Sequence, residues 1–168
     1  MLPDILRDGL DVVFCGTAAG RRSAEVGMYY AGRGNLFWPT LFEVGLTPVL
    51  LAPETADELP RFGIGLTDLA KEASGSDREL PPGAFAPARL AEVLGTWRPT
   101  IVAFNGKRAA RAALGRPTAH PVDYGEQAGL EIGGAVPWVL PSTSGAARGY
   151  WSIEPWRRLA EAVRARRA

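Results

Sequence analysis

Two apolar runs set the frame for this chain. Val12-Val13-Phe14-Cys15 is a run of strand type, and Thr100-Ile101-Val102-Ala103-Phe104 is continuously apolar after its first residue, with no alternation that would give one face to water. A strand of the second kind is covered on both sides, which points to a parallel sheet with helices above and below it. Both runs break at once into small or turn-forming residues, Gly16-Thr17-Ala18-Ala19-Gly20 after the first and Asn105-Gly106-Lys107 after the second. A loop directly after a strand lies at the carboxyl edge of an α/β sheet, where open sheets bind ligands and where backbone N–H groups hold an anion or a carbonyl. The first loop therefore reads as a pocket floor. Beyond it, adjacent Tyr29 and Tyr30 and the glycine-rich Ala31-Gly32-Arg33-Gly34 set an aromatic face beside that floor, an arrangement suited to a planar ligand.

The remaining segments alternate between strand-like and helix-like patterns, with no internal repeat. Asn35 is placed to cap a helix through Glu43 that buries Leu36, Phe37, Leu41, Phe42 and Val44 before Gly45 stops it. A short helix from Pro53 to about Leu59 leads into Gly63-Ile64-Gly65-Leu66-Thr67-Asp68-Leu69, an apolar, glycine-punctuated segment that is polar at Thr67 and Asp68. Residues 72–86 read as a covering loop, 87–97 as a helix, 107–114 as a second helix, and 115–127, with the only histidine, His120, as a loop. Leu130-Glu131-Ile132 and Val136-Pro137-Trp138-Val139-Leu140 read as two strands or a hairpin. A second small-residue loop, from Pro141 to Gly149, follows. The final helix starts near Glu154 and carries Trp156, Leu159, Ala160 and Val163 on one side and five arginines among its polar positions.

Residues 1–168 are the size of one domain with a substantial core. The expected fold is a single-domain α/β three-layer sandwich, its short, mostly parallel central sheet carrying helices on both faces. Nineteen basic residues against eighteen acidic ones leave a formal net charge of +1, which excludes a uniformly basic nucleic-acid surface but not local basic patches. One cysteine rules out an internal disulfide, and one histidine leaves no Cys/His cluster for zinc, so no metal or cofactor is expected. Cys15 itself reads as a small buried hydrophobe. No apolar run approaches the roughly 18 residues of a membrane span, and Asp4, Arg7 and Asp8 stand where a signal peptide would be apolar, so a cytoplasmic monomer is expected.

The two small-residue loops converge on one edge if their strands are parallel neighbours. At these positions the chain resembles the uracil-DNA glycosylase superfamily, and most closely its mismatch-specific uracil and thymine-DNA glycosylase branch. The residues that carry the resemblance are Phe14-Cys15-Gly16, the spacing from Gly20 through Ser23-Ala24 and Gly27 to Asn35-Leu36-Phe37-Trp38, then Gly65-Leu66-Thr67, Asn105-Gly106-Lys107 and Val139-Leu140-Pro141-Ser142-Thr143-Ser144-Gly145. Each is weak alone, and their order and spacing together are fairly specific. The resemblance implies hydrolysis of the N-glycosidic bond of a uracil flipped out of DNA, with free uracil as product and uracil-containing DNA as the partner. It assigns base binding to Gly16, Thr17, Ala18, Gly20 and Tyr30, with Tyr30 stacked on the base. It assigns DNA contact to Lys107, Ser142, Ser144, Gly145 and Arg148. Ala146 and Ala147 are poor wedges for a duplex, which favours single strands or loosened pairs.

Two departures bear on the chemistry. The branch normally carries a catalytic Asn as the third residue of the first loop, where this chain has Ala18, and Ser142 stands where relatives have His or Asn. The catalytic candidates are then Asp68 and Ser142. Asp68 can accept the N3–H of uracil or activate water, or it can simply cap a helix beginning near Leu69. Asn105 and Lys107 are open to a helix-terminal or a DNA-facing role, and His120 has no partner in sequence. Arg21, Arg22 and Arg33 flank the proposed pocket as exposed arginines that can steer DNA. A reader that recognises uracil or abasic sites without cutting is the alternative to a glycosylase. Unrelated nucleotide chemistry is disfavoured by the absence of G-x-G-x-x-G and of G-x-x-x-x-G-K-[ST].

Overall fold

In the computed structural model residues 2–71, 85–116 and 121–167 are described. Of the expected loop 72–86 only Phe85 and Ala86 fall among them, and His120 lies outside them. Five strands form one sheet: β1 (Val12–Gly16), β2 (Ile64–Asp68), β3 (Ile101–Asn105), β4 (Gly125–Glu126) and β5 (Val136–Leu140), in the order β2-β1-β3-β5-β4. All neighbours are parallel except β4, which runs antiparallel to β5. The helices are α1 (Arg21–Val26), α2 (Phe37–Glu43), α3 (Pro87–Trp97), α4 (Lys107–Leu114) and α5 (Glu154–Arg167), with 3₁₀ helices at Pro53–Phe62 and Gly145–Tyr150. This is the expected α/β sandwich with a short, mostly parallel sheet.

Alternation along fully buried strands divides the core in two. Val12 and Phe14 of β1 join Ile64, Leu66, Ile101, Ala103, Trp138 and Leu140 on one face, under Phe37 and Leu41 of α2, Leu59, and Trp156, Leu159, Ala160 and Val163 of α5. Phe14 stacks on Trp156 with ring centroids 5.4 Å apart and meets Phe37 edge-on at the same distance. On the other face Val13, Cys15, Val102, Phe104 and Val139 lie under Leu90 and Leu94 of α3 and Ala109 and Ala110 of α4. Small alanines let α4 settle close to the sheet. The consequence for function is the register, which pairs Gly16 with Asp68 and Asn105 with Leu140, so that the carboxyl ends of four parallel strands finish in one rank.

The structure corrects several local expectations. Leu130-Glu131-Ile132 is not a strand; it is a mostly exposed turn closed by a single bridge between Ile132 and Ala135, and the sheet edge is taken by Gly125 and Glu126 in the segment read as loop. Two residues, one of them a glycine at φ +108°, show no periodicity by which a strand can be read. In α2 the buried residues are Phe37, Trp38, Thr40 and Leu41, while Phe42 is 48% exposed because it falls on the opposite side of the helix. Asn35 precedes the N-cap residue, Leu36, but its Oδ1 accepts the N–H of Phe37 at 3.0 Å, so it does serve the helix start. The helix after Pro53 is 3₁₀ and extends to Phe62 with a break at Thr55. Helix α1 was not expected; its ends are set by Gly20 and by Gly27 in the left-handed region at φ +71°.

Candidate functional site at the carboxyl edge of the sheet

Gly16 ends β1 and Asp68 ends β2 beside it, and the missing side chain at Gly16 is what gives the carboxylate its place. A Cβ on Gly16 would lie 2.9 Å from Asp68 Oδ1 and 3.4 Å from Tyr30 Oη. Two side chains expected at the site, Asp68 and Tyr30, therefore meet over one glycine. Residues 69–71 are not helical, so Asp68 does not cap a helix there, and Leu69 and Ala70 instead donate their N–H groups to the carbonyls of Gly16 and Thr17 at 2.9 and 2.7 Å. That pairing fixes the start of the first loop. Thr17 and Ala18 are half-buried in it, and Gly20 is exposed at the start of α1.

Asp68 is 3% exposed, and burial pushes its carboxyl up from 3.8 to about 6. The Lys71 ammonium opposes that rise most strongly, Asp4 adds to it and Arg89 opposes it. Above pH 6 the group is an ionised carboxylate inside the protein. Tyr30 stands at φ +52°, an uncommon conformation for a bulky residue, and its ring stacks on Phe37 with centroids 4.1 Å apart. Its buried hydroxyl makes no well-formed hydrogen bond among the described residues. Burial, then Asp68, raise the Tyr30 phenol, with the nearby Asn105 amide opposing them, so Tyr30 is a neutral donor.

The second loop is tied to this edge by Asn105. Its Nδ2 donates to Thr143 Oγ1 and its Oδ1 accepts the Thr143 N–H, both at 2.9 Å and both buried. Asn105 therefore caps nothing; Gly106 begins α4. Thr143 passes the constraint on, because its carbonyl accepts the Leu36 N–H at 2.9 Å. Ser142 packs its side chain toward Gly106, and its Oγ accepts the Ser144 N–H at 3.2 Å, while Ser144 Oγ accepts from Ala146 at 3.3 Å. Gly145 backs onto the Arg33 carbonyl, and Arg148 donates to the Gly34 carbonyl at 2.9 Å. Lys107 leans over the Tyr124 ring, its Nζ 4.5 Å from the centroid. So half-buried Ser142 and exposed Ser144, Gly145 and Arg148 form one ridge joined to residues 33–36, and Lys107 sits at the start of α4 beside Tyr124. A cleft of about 380 Å³, lined by Tyr30, Gly32, Asn35, Trp38, Leu50 and Pro53 among others, runs beside the glycine-rich turn; Asp68 is not among its walls.

Sequence reasoning missed the polar cluster behind Asp68. Asp4 binds Lys71 at 2.9 Å, accepts from Thr67 Oγ1 at 2.7 Å and pairs with Arg89. These partners are 63 to 85 residues away from Asp4 in sequence, so no local pattern announces them. The one local signal was Lys71, three residues after Asp68. Among the described residues no group of three or more His, Cys, Asp or Glu side chains is arranged to hold a metal ion, and no helix is long and apolar enough to cross a membrane.

The chain is similar over nearly its whole length to the solution NMR structure of a putative uracil DNA glycosylase from Methanosarcina acetivorans, with 18% identity, a TM-score of 0.62, and coverage of 97% of this chain and 96% of that one. At that identity the likeness speaks to the fold. The family model of the uracil DNA glycosylase superfamily matches residues 3–163, nearly the full length, and by that match the chain belongs to the uracil DNA glycosylase superfamily.

Proposed function

We propose that this protein is a monofunctional uracil-DNA glycosylase, nearest to the mismatch-specific branch, acting on uracil in single-stranded or mismatched DNA. One observation carries the reading: a buried carboxylate, Asp68, lies over Gly16 at the strand ends, beside the neutral phenol of Tyr30. On this reading it supplies the polar group that Ala18 does not.

In the mechanism this supports, the uracil nucleotide turns out of the strand and its ring stacks on Tyr30. The C1′–N1 bond breaks as positive charge gathers on the sugar and negative charge on the departing uracil, and backbone N–H groups of the Gly16–Gly20 loop receive the latter. The ionised Asp68 balances the sugar's charge and takes a proton from the water that bonds to C1′. The strand is left intact with an abasic site. Ser142, Ser144, Gly145 and Arg148 grip backbone phosphates on the ridge, with Lys107 behind them.

The test is single-turnover cleavage of a labelled single-stranded oligonucleotide carrying one uracil, developed with alkali, for wild type and Asp68→Asn. Alkali-dependent scission is expected from wild type, with a loss of about 10²- to 10⁴-fold in the variant, the usual contribution of a positioned acid–base group. A variant within threefold of wild type removes Asp68 from the chemistry. Ala18, in place of the expected Asn, favours one other reading, a non-cutting reader. Specific binding of uracil DNA by wild type without any scission is its signature.

A further inference from the structure

Lys71 is held by an unusual number of partners for a lysine. Its side chain is 7% exposed, and its ammonium contacts Asp4 Oδ1 at 2.9 Å, the Leu2 carbonyl at 2.8 Å and Tyr29 Oη at 2.8 Å. Three partners use the three N–H protons an ammonium has. Asp68 Oδ2 lies further away, at 3.8 Å, so it receives the field of the charge while its oxygens stay free of a full hydrogen bond from it. Lys71 is thereby a fixed cation behind the carboxylate, aimed by its other contacts.

Two of those contacts, Asp4 and the Leu2 carbonyl, come from a strap, the segment Leu2–Ile5, laid across the edge strand of the sheet. Ile5 and Leu66 exchange two backbone hydrogen bonds of 2.9 Å, and Gly65 has no side chain because a Cβ there would come within 2.7 Å of the Ile5 carbonyl oxygen. Leu2 is buried in the core, the Pro3 carbonyl accepts from Tyr29 Oη at 2.9 Å, and Asp4 reaches inward. The charge of Asp4 is shared with other partners. Arg89, from α3, pairs with Asp4 Oδ2 and also donates to the Asp68 carbonyl at 3.3 Å, and Thr67 donates to Asp4 Oδ1.

We propose that Lys71, locked in place by Asp4 and the Leu2–Ile5 strap, is a positioning residue that holds Asp68 as an ionised carboxylate turned toward Gly16. The proposal rests on the reading of Asp68 as the catalytic group and names the parts of the chain that set it. The charged and titratable groups facing Asp68 are Lys71 in its own loop, Asp4 in the strap, Arg89 on α3, Cys15 on β1, and the Tyr29 and Tyr30 phenols. Cys15, Tyr29 and Tyr30 are all raised by burial and stay neutral through the working range, so the balance at Asp68 is struck by Lys71 and Arg89 against burial and Asp4.

The experiment follows the side-chain carboxyl of Asp68 by ¹³C NMR through a pH titration in wild type, Lys71→Gln, Lys71→Arg and Asp4→Asn, the resonance being identified by its loss in Asp68→Asn. Wild type is expected to titrate at about 6. Lys71→Gln should move that midpoint up by one unit or more, a tenfold or greater rise in proton affinity; Lys71→Arg should return it toward wild type, and Asp4→Asn should move it down. Shifts of opposite sign from two neighbouring substitutions are something that mere loss of packing would not give. An unchanged midpoint in Lys71→Gln overturns the proposal, whatever Asp4→Asn shows. If Lys71→Gln does not fold, Lys71→Met takes its place in the same titration, an upward shift supporting the proposal and an unmoved midpoint overturning it. The titration needs no DNA, so it is separate from the glycosylase test: expected shifts with no uracil excision by wild type leave the electrostatic assignment standing and remove its catalytic purpose. Excision that depends on Asp68 with unmoved midpoints does the reverse.

Discussion

Asp68 should make the protein less stable at neutral pH, and its removal should show this. A carboxyl that ionises at 3.8 when exposed and at about 6 in the folded chain binds its proton more tightly folded than unfolded. Between those two values the unfolded chain gives up its proton first, so stability falls as pH rises through the interval and stays lowered above it. At about 1.36 kcal/mol per unit, the full difference is on the order of 3 kcal/mol above pH 7, a large part of the 5–15 kcal/mol that holds a small domain together. Asn has the shape of the protonated acid and no charge to bury. Asp68→Asn is therefore expected to be more stable than wild type by about 1 kcal/mol at pH 4.5, rising to about 3 kcal/mol at pH 8. The assay is urea denaturation of both proteins across that range, with the slopes compared to check that the same surface is exposed. A variant less stable than wild type at pH 8, or a difference independent of pH, refutes the reasoning: Asp68 would then be a structural carboxylate satisfied by Lys71. Paired with loss of excision, the expected result would mark Asp68 as a residue kept for chemistry at a cost in stability.

Three further outcomes follow from the same geometry. Asn105→Ala leaves the buried Thr143 N–H and hydroxyl without partners, and should cost about 2–4 kcal/mol by urea denaturation, against a few tenths for an exposed helix-end residue; a loss below about 1 kcal/mol would mean that the second loop is held by other contacts. Gly16→Ala puts a methyl 2.9 Å from Asp68 Oδ1 at a residue with ordinary backbone, so single-turnover excision should fall at least tenfold while the fold survives in circular dichroism, and unchanged excision would show that the carboxylate works from elsewhere. Arg148→Ala breaks one exposed hydrogen bond to Gly34 and should shift stability by no more than about 0.5 kcal/mol, yet lower the salt dependence of DNA binding by about one unit of slope; an unchanged slope would take Arg148 off the phosphates.

Legibility in the sequence tracked the distance over which each constraint acts. The strands at Val12 and Ile101, the helix Pro87–Trp97 and the apolar side of the last helix are written in runs of neighbouring residues, and they stand within a residue or two of where the pattern placed them. Of the site, the rank of Gly16, Asp68 and Tyr30 was reachable because loops after parallel strands converge. What the sequence did not disclose was pairing at long range. Asp4, Arg89 and Lys71 meet only after β2, α3 and the strap are assembled, and Asn105 looks like any residue before a helix until Thr143 is seen beside it. Gly125–Glu126 is strand only because β5 offers it an edge.

On the proposed reading of Asp68, the register of β1 and β2 lets a chain with Ala18 keep a polar group near the first loop. The end of β2 lies beside the start of the first loop, because Gly16 and Asp68 are direct partners across parallel strands. A carboxylate from the neighbouring strand reaches the loop start only if the intervening residue has no Cβ, and Gly16 has none. The move brings a charge deeper into the sheet than a loop residue would lie, which raises the desolvation cost. A fixed cation is then needed behind it, at a distance that offsets the cost without capturing the oxygens. Lys71 at 3.8 Å, with its three protons engaged elsewhere, meets that requirement, and its own charge is balanced by Asp4. Ala18, Gly16, Asp68, Lys71 and Asp4 are on this argument one solution: the small residue at the first loop is tolerable because four others, from three separate segments, rebuild the wall beside it.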